Sequence, residues 1–234
     1  MPLLTPRFVG LFNEAYEQVL VDENGNVLTG VPMGTETRPD IVAEFAFRGS
    51  QLLHKRNRDP LSLLDDPDIV AEASRRAFEV VRRYEGTPPV ENHPLSQTEL
   101  DEGYALVRNY VSLYRAFPAN AHTEFCPQFQ GSGFLSAAEG DLGIEDTLIE
   151  IKTTTRKVSG KDLRQLITYL ALDSAAGTMR WSHIGIFNPR RGTLHRAQID
   201  ALLLRVSGGK PRVDVLAELV SFAQTTDLVV DRTF

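Results

Sequence analysis

The stretch Glu139–Lys152, EGDLGIEDTLIEIK, decides how this chain reads. Apolar and polar residues alternate through Thr147-Leu148-Ile149-Glu150-Ile151-Lys152, as in a strand, so the two-residue side-chain period puts Glu150 and Lys152 on one face. If Glu145 and Asp146 form the tip of a hairpin, counting back pairs Ile144 with Thr147, Leu142 with Ile149 and Asp141 with Glu150. Directly opposed residues share a face, so a second carboxylate arrives beside the first.

Two converging carboxylates repel each other, and a hard divalent cation held through oxygens gives them a reason to meet. Magnesium or manganese suits that donor set. Such an ion polarises a phosphoryl oxygen and acidifies a bound water, and a neighbouring lysine orients that water or offsets developing negative charge. The chemistry expected is phosphodiester hydrolysis.

Farther along, Ser159 opens a helix that carries Gln165 and Tyr169 one turn apart on a common face. Together, Gly140-Asp141, Glu150-x-Lys152 and Gln165-Leu-Ile-Thr-Tyr169 resemble the PD-(D/E)xK nuclease superfamily in its RecB-type, phage-exonuclease-like branch. The resemblance covers about residues 120–200. It implies an α/β, restriction-endonuclease-like core of order αβββαβ, a central mixed sheet flanked by helices, with an N-terminal, mainly helical extension. Residues 1–95 would be a hairpin and helical region packed on the core, and 96–234 the nuclease core with its C-terminal helix.

By the same resemblance, Asp141, Glu150 and Lys152 are catalytic, and Asp141, Glu150 and the backbone carbonyl of Ile151 hold Mg2+ or Mn2+. Gln165 and Tyr169 position the substrate strand, and the products carry a 5′-phosphate and a 3′-hydroxyl. Related nucleases often take a further ligand from an upstream helix, for which Glu44 and His54 are the candidates. Gly49-Ser-Gln-Leu-Leu-His54 has one residue more than the family spacing, which rotates a helical side chain by about 100°. Glu124 resembles the acidic residue that supports the metal from the neighbouring strand, with a strand-end ion pair as the alternative. The implied substrate is DNA, in repair, recombination or anti-phage defence. A helicase/ATPase or another defence-complex subunit is the implied partner, and a homo-oligomer is compatible. A reading from a different class is a catalytically inactive nuclease-fold subunit that binds nucleic acid or a protein.

The 234 residues carry 25 Lys and Arg against 31 Asp and Glu, a net charge of −6, which weighs against an autonomous high-affinity nucleic-acid binder. Local basic runs offset this: Lys55-Arg56-Asn57-Arg58, Arg75-Arg76, Arg82-Arg83, Arg156-Lys157 and Arg190-Arg191. The single cysteine, Cys126, excludes an intrachain disulfide, a cysteine-rich zinc site and a four-cysteine iron-sulfur cluster, and fits a reducing, cytoplasmic setting. The first twenty residues lack the long apolar run of a secretory signal or membrane span. Serine-hydrolase elbow, zincin and P-loop motifs are absent from the sequence.

Helices are expected over 4–18, over 41–55 after Asp40 as cap, from Asp66 to about Tyr84, and from the capping box Ser96-Gln-Thr-Glu99 to about Ala116. Others are expected from Ser159 and over Arg212–Ala223. Val19–Leu28 reads as a hairpin turning at Asn24-Gly25, and Gly86–Pro94 as a loop. Strands are expected at His122–Phe129, Phe134–Leu142, Thr147–Thr155, Trp181–Asn188 and Thr193–Ile199.

Overall fold

The computed structural model describes residues 4–56, 58, 60–85 and 94–225. The chain is α/β, with a mixed six-stranded sheet between two helical layers. Residues 86–93 of the expected loop, and Asn57 of the first basic run, lie outside the described residues. No helix among the described residues is long and apolar enough to cross a membrane.

Helix α1 (Pro6–Tyr16) starts at Thr5, whose Oγ1 accepts from Phe8 N–H, and runs directly into the edge strand β1 (Glu17–Val19). The predicted hairpin contracts to one bridge, Val21 to Val27, closed by a turn in which Gly25 takes φ +79°. Helix α2 is Pro39–Lys55, two residues longer at its start than expected. Its cap is Arg38 rather than Asp40, and Pro39 at the first position needs no N–H partner. A short 3-10 turn, Pro60–Asp65, leads to α3 (Pro67–Glu85), where Asp66 Oδ1 caps Ile69 N–H at 3.2 Å. In α4 (Gln97–Arg115) both halves of the Ser96/Glu99 capping box are made.

The expected strand His122–Phe129 breaks in two. Cys126 sits at φ 56°, in the left-handed region, so β2 (Thr123–Phe125) stays in the main sheet. The turned chain then pairs β3 (Gln128–Phe129) with β4 (Ala138–Glu139) in a separate two-stranded ribbon. Strands β5 (Leu142–Ile144) and β6 (Thr147–Ile151) follow. Their register is the one counted from the sequence: Ile144 opposite Thr147 and Leu142 opposite Ile149.

Helix α5 (Gly160–Ala175) crosses back, and β7 (His183–Asn188) lies parallel to β6. Strand β8 (Thr193–Gln198) completes the order β1-β8-β7-β6-β5-β2. Two C-terminal helices, α6 (Ile199–Val206) and α7 (Arg212–Thr225), close the described chain. The sequence reading had left α6 unassigned.

The sheet's pleat divides the core in two. Leu142, Ile144, Ile149, Phe187 and Leu194 face α2 and α4, and join Val42, Phe45, Leu53, Leu106 and Tyr110. Leu148, Ile184, Ile186 and Ala197 face α5 and α1, and join Leu163, Leu166, Leu170 and Phe12. Gly103 brings α4 against α2, since a Cβ there would lie 2.5 Å from the Phe45 ring. Because both layers bear on one sheet, the end of β6 is held from above and below.

Candidate active site

At the C-terminal end of β6 a cleft of about 410 Å³ opens between α2, α4 and the segment Lys152–Arg156. Asp141, Ile151, Lys152, Glu44, Phe47 and Tyr110 are among its walls. Asp141 lies just before β5, and its Oδ2 accepts from Ile151 N–H at 2.7 Å, which ties it to the strand carrying Glu150. Glu150 is only 3% exposed. Its Oε1 accepts from Lys152 Nζ at 2.7 Å, while Oε2 is buried with no donor directed at it.

Burial, then the neighbouring Asp141 charge, pushes the Glu150 carboxyl up to about 8 in spite of Lys152. Burial likewise raises Asp141, partly offset by the Ile151 N–H and the Lys152 charge. The pair is therefore short of positive charge.

Lys152 is held from a second side. Its Nζ donates to Gln165 Oε1 at 3.0 Å, Gln165 Nε2 donates to Tyr169 Oη at 2.7 Å, and Tyr169 Oη donates to the Glu139 carbonyl at 3.1 Å. The Tyr169 ring stacks on Phe129, with centroids 5.0 Å apart and planes within 1°. Gln165 and Tyr169, expected to grip substrate, thus form a bonded line behind the lysine, and Tyr169 is buried. The helical spacing put them on one face, but which surface that face met depended on the crossing of α5 over the sheet.

The two upstream candidates separate. Glu44 lines the cleft, and burial raises its carboxyl, opposed by Arg48 and reinforced by the Asp141 charge. His54 is not in the site: its ring lies 5.4 Å from the Phe125 ring and 6.0 Å from that of Tyr114, beside a different cavity. Ten residues of helix carry it about 15 Å along the axis from Glu44, so the two cannot serve one ion. Glu124 takes the alternative given for it. It pairs with Gly143, two positions up β5 from Asp141, and is bound to Arg180 at 3.2 Å, the ion-pair alternative.

Sequence reasoning missed Arg48 and Tyr110. Arg48 Nε donates to Glu44 at 3.1 Å and its guanidinium lies 4.9 Å over the Phe47 ring, so a cation stands next to Glu44 on α2. The Glu44-x-x-x-Arg48 spacing was a visible signal for that pair. Tyr110 came to the cleft through tertiary packing alone, its ring edge-on to Phe187 at 5.1 Å.

No group of three or more His, Cys, Asp or Glu side chains that could hold a metal ion occurs among the described residues. Two carboxylates suffice for an ion that keeps most of its waters, as Mg2+ does. The donorless Oε2 of Glu150 and the all-oxygen character of Asp141, Glu150 and the Ile151 carbonyl fit such an ion. Comparison with protein-family models, curated proteins and solved structures gives no match for this chain.

Proposed function

We propose that this protein is a divalent-metal-dependent nuclease that hydrolyses DNA phosphodiester bonds, with Asp141, Glu150 and Lys152 as its catalytic residues. The observation that carries the reading is the pair of buried carboxyls, Glu150 against Asp141, that share one lysine: Lys152 bonds one Glu150 oxygen, and the other meets no nitrogen donor. Two buried carboxyls side by side with a single ammonium between them make a site that a further positive charge would relieve. The reading belongs to the PD-(D/E)xK type that the sequence resembles.

Bound Mg2+ or Mn2+ would polarise the scissile phosphate and acidify a water. Asp141 and Glu150 supply carboxylate oxygens, and the Ile151 carbonyl is a third candidate ligand. Lys152, fixed between Glu150 and Gln165, presents its ammonium to the attacking water or to a phosphate oxygen. Attack of the water oxygen on phosphorus breaks the P–O3′ bond, leaving a 5′-phosphate and a 3′-hydroxyl. Gln165 and Tyr169 hold Lys152 in one rotamer, so they act through the lysine.

Cleavage of single-stranded DNA, duplex DNA and RNA, measured with Mg2+, Mn2+, Ca2+, Zn2+ and EDTA, tests this. Activity is expected with Mg2+ and Mn2+, little with Zn2+, none with Ca2+, whose looser coordination activates water poorly. Cleavage that survives EDTA, or no cleavage with any ion, sinks the reading, and metal binding without cleavage would favour the inactive-subunit alternative.

A further inference from the structure

The cleft at the end of β6 has two unlike sides. One is formed by Asp141 and by the chain leaving the strand, Ile151 to Thr154. Beyond Ile151 it is polar: the Asp141 carboxyl, the Lys152 ammonium and the hydroxyl-bearing Thr153 and Thr154. Arg156, which follows on the same segment, is bound to Asp162 at 2.8 Å, so Lys152 and the proposed ion are left to meet a phosphate.

The other side is built by two helices that lie outside the stretch resembling nucleases. Asp40, Ala43, Glu44 and Phe47 recur at i, i+3, i+4 and i+7, which is one face of α2, and all four line the cleft. Val80 and Val81, near the end of α3, line it as well. Ala43, Val80 and Val81 are only half-buried, so apolar surface stays open on this side. It offers a phosphate no cation, and Asp40 and Glu44 repel one.

What such a surface does suit is the part of a nucleotide that carries no charge. Sugar and base present apolar faces, and the amino groups on the edges of adenine and cytosine donate to carboxylates. At about 410 Å³ the cleft falls in the range of about 300–1,000 Å³ that encloses one small molecule, the scale of a nucleotide. An unpaired strand can turn its phosphates to the Lys152 side and its bases to the helices. A duplex keeps its bases paired inside and shows phosphate on both outer edges, so a duplex entering the cleft would set one backbone against Asp40 and Glu44.

We propose that Ala43, Phe47, Val80 and Val81 form a wall that packs the sugar and base next to the scissile phosphate, so that the cleft takes one unpaired strand. The proposal rests on the nuclease reading and adds to it the substrate class and the surface that selects it. Because every base has an apolar face, the wall discriminates paired from unpaired rather than one sequence from another.

The test compares three substrates with Mg2+: a single strand, the same strand in a duplex, and a strand of equal length carrying no bases. Wild type is set against Val80→Ser/Val81→Ser and against Val19→Ser/Val27→Ser, which alters two valines exposed elsewhere. Wild type is expected to favour the single strand over both others by roughly 10-fold or more in kcat/KM. The wall variant should raise KM for the single strand by roughly 10-fold, leave kcat and metal affinity unchanged, and lose the preference for bases, while the control variant changes nothing. Should the serine pair melt early, Val80→Thr/Val81→Thr keeps the shape, adds the polarity and is read in the same way. Equal cleavage of duplex and single strand by wild type, or a base preference that survives in the wall variant, overturns the proposal and leaves the nuclease reading standing. Affinity for the labelled strands with Ca2+ is measured in parallel. If wild type cleaves nothing, the nuclease reading falls, and the wall stands or falls on whether the preference for bases in binding disappears in the variant.

Discussion

Two glutamates in this protein expose almost the same small fraction of their surface and behave in opposite ways. Glu99, at the start of α4, is 2% exposed, and Glu150, on β6, is 3% exposed. Glu99 accepts from Arg38 Nε and Nη2, both at 2.7 Å, from Arg38 N–H at 3.0 Å and from Ser96 N–H at 2.8 Å. Those bonds, the Arg38 side chain first, pull its carboxyl down to about 2. Glu150 is packed more deeply, with one cationic donor and a second carboxylate beside it, and burial first, then the Asp141 charge, takes it up to about 8. Low exposure alone therefore does not set the fate of an acid; how deeply the carboxyl is packed and which donors meet it do. The first glutamate stabilises the fold, and the second keeps an unmet demand for positive charge.

The sharpest way to break the contrast is Glu150→Gln. Cleavage should fall roughly 10³-fold, about 4 kcal/mol of transition-state stabilisation. The melting temperature of the metal-free protein should hold near neutral pH, where the carboxyl is mostly protonated, and hold or rise above about pH 8, where the change removes a charge that repels Asp141. A clear fall in melting temperature with cleavage retained would show Glu150 to be an ordinary structural acid. Asp141→Asn should follow the same pattern, softened by loss of its bond from Ile151 N–H.

Glu99→Gln should do the reverse, lowering stability by about 2 kcal/mol with cleavage per folded molecule unchanged. The sign with pH follows from the shift. A carboxyl at about 2 in the folded chain and 4.5 in the unfolded one stabilises fully above 4.5, and that contribution is lost as pH falls towards 2. Urea unfolding at a series of pH values should show the gap between wild type and variant closing across that window. A gap that is constant with pH would remove the Arg38 bond as its cause.

Between these extremes stand Gln165 and Tyr169. Each of Gln165→Ala and Tyr169→Phe should slow cleavage about 10-fold by loosening Lys152, with metal affinity unaltered. Tyr169→Phe should also cost about 1 kcal/mol of stability, since its hydroxyl is bonded on both sides within the core. A Tyr169→Phe protein that melts early but cleaves at the wild-type rate would leave the line a packing feature only. The smallest change belongs to Arg75→Gln on the exposed face of α3, expected to leave the melting temperature indistinguishable from wild type by calorimetry.

The sequence was most legible where local rules operate alone. Strand alternation and a hairpin count were enough to register Leu142 against Ile149 and Ile144 against Thr147, because a period of two admits no rotation of the answer. Caps at Asp66, Ser96 and Ser159 were readable because their partners lie three residues away. The break at Cys126 was not, since nothing marks a cysteine for the left-handed region. Choosing between Glu44 and His54 needed the angle at which α2 crosses the sheet, and the role of Gln165 needed that of α5. Helix α6, with Ile199, Leu202, Leu203 and Val206 buried at helical spacing, was written in the sequence and passed over.

The close approach of Trp181 to β5 has a practical consequence. A Cβ on Gly143 would lie 2.5 Å from the Trp181 ring, so the indole rests directly on the strand that precedes β6, with the Arg180 guanidinium 4.9 Å from the ring centroid. It is the chain's single tryptophan and is 3% exposed. All indole fluorescence thus originates from one enclosed spot on the sheet, at blue-shifted wavelengths while the strands hold. A red shift reports the parting of Trp181 from Gly143, giving an optical readout of the central sheet with no label attached.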